Sequence, residues 1–180
     1  MISRLLFTLV LLAGSVALSH AGPQYVDESG YAAGGYDVVA YHSLEQAPVG
    51  EPQPEAVPGR ASITAEYNGA TWAFATEENQ EKFLADPERY APRFDGHCAY
   101  GVAQGGKVPG NPNLWRIVDG ELYLNITPNV VGFFEEDIPG HLAAAEENWN
   151  KLVAEAVSTR SWKAIDANAG TWSIEAPLDE

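Results

Sequence analysis

The sequence predicts an α+β fold: two β-hairpins in a small antiparallel sheet packed against helices. Three observations carry this. Strand-forming residues flank Asn68-Gly69 in SITAEYNGATWAFA and Asp119-Gly120 in LWRIVDGELYLNI, and both dipeptides tolerate the positive φ angles of a tight hairpin. A helical pattern follows each hairpin. Finally, 46% hydrophobic and 11% aromatic residues describe a chain that buries a core.

The elements follow in order. Residues 1–21 read as a secretory signal peptide, because Arg4 precedes the apolar run LLFTLVLLAGSVALSH and Ser19-His20-Ala21 supplies a small-x-small cleavage site after Ala21. Residues 22–60 form a Gly/Pro-rich arm, GYAAGGYDVVAYHS and then APVGEPQPEAVPG. Its prolines cannot donate ladder hydrogen bonds, which leaves a short strand over 38–41 and a long surface loop. Residues 61–157 are the α+β domain with its C-terminal helix. Thr76 caps EENQEKFLAD, whose glutamates suit a helix N-terminus, and Pro87 stops that helix after Asp86. Beyond the second hairpin, NVVGFFEED and IPGHLAAAEENWNKLVAEAV are helical, and Leu142, Ala145, Trp149, Leu152 and Val153 form a stripe expected to cover the sheet. The tail, 158–180, holds Trp162 and Trp172 and reads either as a docked arm or as a strand pair. No internal repeat is read beyond the two hairpins.

Charge and length bound the function. The formal net charge is −15, and loss of Arg4 with the leader makes it one unit more negative. Phosphate backbones and anionic lipids would repel such a surface, so nucleic acid is not an expected partner. After the leader no apolar run approaches the roughly 18 residues of a membrane span, so no stable membrane insertion is expected. The expected location is the periplasm or the cell exterior, and no protein partner is named by the sequence. Cys98 is the single cysteine and has no intrachain partner.

The segment ITAEYNGATWAFATEENQEKFLADPERYAP, a strand, an Asn-Gly turn, an aromatic strand and a helix ending in F-x-x-D-P-x-x-Y, resembles the YHS domain over 63–92. GGYDVVAYH before it, and FDGHCAYGVA, NLWRIVDGELYLN and Asn148-Trp149 after it, resemble exported bacterial proteins that carry this domain and extend the likeness to 31–152. The resemblance implies the hairpin-plus-helix module. Through the YHS domains of copper-transporting ATPases, it also implies metal handling. The family's histidine and two cysteines fall here on Ile63, Ala75 and Asn79, none of which ligates a soft metal. The literal Tyr41-His42-Ser43 is a coincidence of spelling.

FDGHCAYG then holds the candidate site. A thiolate and imidazoles are ligands for copper or zinc ions, and Cys98, His97 and His42 make an arithmetically sufficient set, with His141 as the remaining histidine outside the leader. Adjacent residues of a strand face opposite ways, so His97 and Cys98 could share a metal only from an irregular loop, which Gly96 and Pro92 permit. Met1 is the only methionine, so a thioether-rich copper site is excluded. The plainer alternative makes Cys98 a small buried hydrophobe and His97 a hydrogen-bonded rim residue.

Asp95, His97 and Cys98 supply the residue types of nucleophilic catalysis, but no hydrolase motif surrounds them, and no catalytic residue is assigned. Val108 after Lys107 excludes a phosphate loop in GVAQGGKVPG. The acidic pairs lack calcium-loop spacing. The sequon Asn125-Ile126-Thr127 ends a strand and runs into Pro128. The aromatic set, Trp72 and Trp115 among it, reads as packing, with room for a tyrosine-lined pocket.

The expected function is therefore an exported YHS-domain binding protein that handles a transition metal, copper by family company, through Cys98 and His97. The alternative is a metal-free interaction or small-ligand module, and a third reading is a thiol redox protein.

Overall fold

A computed structural model describes residues 23–168 and residue 177. The leader read in 1–21, and Trp172, lie outside the described residues. Two 3-10 turns (Ala33–Gly35 and Ala40–Ser43) precede β1 (Arg60–Tyr67), β2 (Ala70–Phe74), α1 (Glu77–Ala85) and α2 (Pro87–Tyr90). A third 3-10 turn (Phe94–Gly96) leads into α3 (Ala99–Ala103), then β3 (Asn111–Val118), β4 (Glu121–Asn125), α4 (Pro128–Glu136) and α5 (Ile138–Leu152). The fold class is α+β.

The hairpins do not share a sheet: β1-β2 and β3-β4 are separate two-stranded sheets. The reason lies at their edges. Tyr31 bridges Thr71 in parallel and Cys98 bridges Leu124 in parallel, while Ala32 N donates to Thr71 O and Arg93 N to Leu122 O. Short pieces of the preceding chain thus occupy the outer edges of β2 and β4, and a covered edge has nothing left to pair with.

The recurrence extends beyond the two hairpins. The β1-β2 register jumps between Arg60↔Phe74 and Thr64↔Ala73, and the β3-β4 register jumps between Asn111↔Asn125 and Trp115↔Leu124. These are the same irregularity displaced by 51 residues. Thr76 caps α1 through Asn79 N, and Thr127 caps α4 through Val130 N. Asp86 (φ −153°, ψ 74°) and Asp137 (φ −153°, ψ 73°) cap the helices that follow. The hairpin dipeptides hold the expected left-handed angles, Asn68 at φ 50° and Asp119 at φ 52°.

The N-terminal segment is core rather than arm. Tyr25, Val38 and Tyr41 are buried in one cluster with Trp72, Phe74, Phe83, Trp115 and Leu122. The strand expected over 38–41 is instead a turn running into Ala40–Ser43, because Asp37 Oδ1 accepts the N–H groups of Val39 and Ala40 and starts a helical turn. In a second cluster, Ala145, Trp149 and Leu152 of α5 meet Ala99 and Val102 of α3, and meet the hairpin through Tyr123. The stripe covers α3 first and the sheet second. Of the two readings of the tail, its described part is a docked arm. Trp162 is fully buried, and Asn168 Nδ2 donates to Ile126 O and Trp162 O.

Two glycines sit where backbones cross. A Cβ on Gly59 would lie 2.5 Å from the Ala73 carbonyl carbon, and one on Gly110 would lie 2.5 Å from Gly96 O. Gly110→Ala is expected to cost about 1–3 kcal/mol through forced backbone displacement, read as a lower urea midpoint. Gly132→Ala, whose Cβ meets nothing within 4 Å, should leave the midpoint unchanged or raised.

Candidate functional site

Phe94, Asp95 and Gly96 are three successive left-handed residues (φ 58°, 50° and 78°), and they deliver His97 and Cys98 into the interior. His97 is fully buried, not a rim residue. Its Nδ1–H donates to Phe94 O at 2.8 Å, which leaves Nε2 as the bare acceptor, and Nε2 has no hydrogen-bond partner. The ring lies 5.7 Å from Tyr25 and 6.0 Å from Trp149 between centroids. Burial lowers its pKa to about 4, the Phe94 carbonyl opposes this, and the Lys107 ammonium adds to it. This imidazole is neutral at pH 7.

Cys98 is the N-cap of α3 and fully buried. Its Sγ accepts Gly101 N–H at 3.3 Å and donates to Asn125 Oδ1 at 3.5 Å. Burial pushes the thiol up to about 11, against the pull of the Gly101, Ile126 and Tyr100 amides. A protonated, enclosed thiol is a poor nucleophile and a poor ligand.

The remaining histidines have other neighbours. His42 packs edge-on against Tyr90, 5.2 Å between ring centroids, with its pKa lowered by burial and by Arg89. His141 accompanies Tyr100 and Phe134. Among the described residues no three His, Cys, Asp or Glu side chains form a group that could hold a metal ion. His97 and Cys98 stay sequence neighbours, His42 does not complete a set with them, and a copper or zinc ion does not fit this donor arrangement. Of the positions to which the family's ligands map, Ala75 and Asn79 instead converge on Asp37: Ala75 N and Asn79 Nδ2 donate to its Oδ2 at 2.8 and 2.7 Å.

A cavity of about 390 Å³ lies elsewhere, between the proline loop, β3 and α4. Pro52, Leu114, Trp115, Pro128 and Val131 give it apolar walls, and Asn113 and Glu135 supply polar groups. The proline loop is tied down on three sides. Arg116 and Glu135 form a buried ion pair, with Arg116 also donating to Ala47 O and Pro48 O. Glu135 Oε2 accepts Gly50 N–H at 2.7 Å. Trp115 Nε1–H donates to Pro54 O at 2.9 Å, and Ala56 N–H to Asn113 Oδ1 at 3.0 Å. Asn113 Nδ2 has no hydrogen-bond partner, although its amide draws down the burial-raised pKa of the Tyr36 hydroxyl nearby.

At the equivalent place in the first hairpin unit, Gln80 of α1 donates from Nε2 to Thr64 O of β1 at 2.5 Å. Val131 stands 51 residues after Gln80 and cannot make that bond. Sequence reasoning passed over this site. Its signals were a proline-rich loop without a strand partner and a charged Arg116 among strand apolars.

Residues 53–94 match the family model of the YHS domain. The likeness covers that segment and not the rest of the chain. No curated protein and no solved structure matches the chain. The YHS segment spans the end of the proline loop, the first hairpin, α1 and α2, and it stops short of His97 and Cys98. Among the described residues no helix is long and apolar enough to cross a membrane.

Three outcomes follow from the His97–Cys98 corner. The unfolded chain binds a proton at an ordinary imidazole near pH 6.5, while folded His97 resists it down to about 4. Stability therefore falls as pH drops from 6.5 toward 4, by on the order of 3 kcal/mol from this group. Urea unfolding of His97→Gln should show a shallower slope in that window than the wild-type chain. For Cys98, a disulfide reagent at pH 8 should label the native chain at least roughly 100-fold more slowly than the urea-unfolded chain. Copper or zinc titrations should show no stoichiometric binding that Cys98→Ser removes.

Proposed function

We propose that the chain is an exported, metal-free binding protein for an apolar, uncharged small molecule, held in the cavity between the proline loop, β3 and α4. The cavity carries this reading. Its volume falls in the range that encloses small ligands, and its composition, mostly apolar with a few polar groups, is the usual one for such sites. The Glu51 carboxylate on its lining, and the net charge of −15, disfavour anionic ligands, the charge of Glu135 being already paired with Arg116. The leader-like N-terminus supports export. The YHS match brings with it an association with metal handling, but the donor arrangement around Cys98 supports the metal-free alternative better.

Gly132 provides the test. It lines the cavity from α4, and a side chain built there meets nothing within 4 Å. Gly132→Leu should fill the cavity while favouring the helix by about 0.5–1 kcal/mol. Titration with the uncharged fluorophore N-phenyl-1-naphthylamine should give saturable binding with quenching of Trp115, lost in Trp115→Phe. Gly132→Leu should weaken binding at least roughly tenfold with an equal or higher melting temperature. Absence of saturable binding to the wild-type chain, or binding indifferent to Gly132→Leu, defeats the assignment.

A further inference from the structure

We infer that residues 93–142 are a second copy of the unit formed by residues 32–91, so that the chain is a tandem of two YHS-type units, and that Cys98 occupies the seat which a buried carboxylate, Asp37, fills in the first. The 51-residue displacement of hairpins and caps is one half of the argument. Shifted by it, the matched segment 53–94 falls on 104–145.

The other half is the turn that precedes each hairpin, displaced by 61 residues. Ala33, Gly34 and Gly35 have φ of 49°, 60° and 80°, and Phe94, Asp95 and Gly96 have 58°, 50° and 78°. Three successive left-handed residues, two of the six being Ala and Phe, are costly enough that their recurrence is not a coincidence of turn preference. The bonds recur with them. Asp37 N donates to Val57 O at 2.8 Å and Cys98 N to Val108 O at 3.0 Å; Gly59 N donates to Gly35 O at 2.9 Å and Gly110 N to Gly96 O at 3.1 Å. Tyr36 bridges Pro58, and His97 bridges Pro109. Both connecting loops close on the same tripeptide, Val57-Pro58-Gly59 and Val108-Pro109-Gly110. The two displacements differ because the loop of the first unit is longer, and the extra length is the proline segment that roofs the cavity.

The seat keeps its backbone amides at equivalent positions. Asp37 accepts the N–H groups of Val39, Ala40 and Ala75. Their counterparts are Tyr100, Gly101 and Ile126: Gly101 N–H donates to the Cys98 sulfur at 3.3 Å, Tyr100 N–H donates to Asn125 Oδ1 at 3.2 Å, and the Ile126 amide lowers the thiol pKa. The Asn79 side chain, the fourth donor to Asp37, is replaced by Val130, and Asn125 instead turns its Oδ1 to the sulfur and accepts the thiol proton at 3.5 Å. Convergent amides favour an anionic acceptor over a thiol. The second unit therefore keeps a carboxylate cradle around a neutral cysteine.

The experiment compares Cys98→Asp with Cys98→Val in the full chain by urea unfolding at pH 7, with circular dichroism to confirm the fold. An inherited carboxylate seat predicts that Cys98→Asp folds with the wild-type spectrum and has a folding constant at least tenfold above that of Cys98→Val, an advantage that disappears at pH 3. An ordinary apolar core position predicts the reverse order. A Cys98→Asp chain that is unfolded, or less stable than Cys98→Val, overturns the inference.

Discussion

The carboxylate of Asp37 holds the first half of the molecule together. It is fully buried, and it satisfies the Val39 and Ala40 amides of the turn, the Ala75 amide at the end of β2 and the Asn79 side chain on α1. Charge-assisted bonds of this kind are about twice as strong as neutral ones, and removing the acceptor would leave the buried Val39 amide without it and take away three part-buried bonds. One side chain thereby ties the turn at 37–40 to the junction of β2 and α1 at 75–79. The edge of β2 is covered as a result, and the N-terminal segment becomes core. The separation of the two hairpins into different sheets follows from this tie and from its counterpart at Cys98.

Local chemistry was legible in the sequence. Asn68-Gly69, Asp119-Gly120, Thr76 and the Pro-stopped helix at Asp86 each act through their own backbone, so residue type suffices to read them. The strand expected over 38–41 failed for a related reason: Val38-Val39 looks extended until the side chain of Asp37 turns back on the two amides that follow. The repeat was obscured because few identities survive, Val-Pro-Gly, Thr76 with Thr127, Phe83 with Phe134 and Asp86 with Asp137 among them, and the unequal loops break a constant spacing. His97 was placed at a rim because imidazoles are usually half-exposed. Its burial depends on Tyr25 and Trp149, which no local pattern connects to it.

The cavity could not be read from sequence for a physical reason. Its walls come from three segments, and where Gln80 bonds β1 through Thr64 O, its counterpart Val131 has no side-chain donor to offer β3. The proline loop then roofs it without filling it, since Pro48, Pro52 and Pro54 resist regular structure and hold the chain off the strand. Arg116 and Glu135 anchor that roof from within. A buried ion pair contributes little net stability, so its role here is positional, fixing where the loop lies over β3 and α4.

The two units have diverged in different directions. The first has the carboxylate seat, the Gln80–Thr64 bond and the segment that matches the YHS family model, and it contributes the long loop. The second has a neutral cysteine at its seat and Val131 in place of Gln80, and it takes that loop as a cover. A metal reading centred on Cys98 assigns the function to the seat, where the sulfur is enclosed and protonated and, among the described residues, no group of three ligating side chains forms. A ligand reading assigns it to the cavity beside Val131. An apolar cavity lined by few polar groups gains from an occupant, so this is where the second unit has room for a ligand and the seat does not.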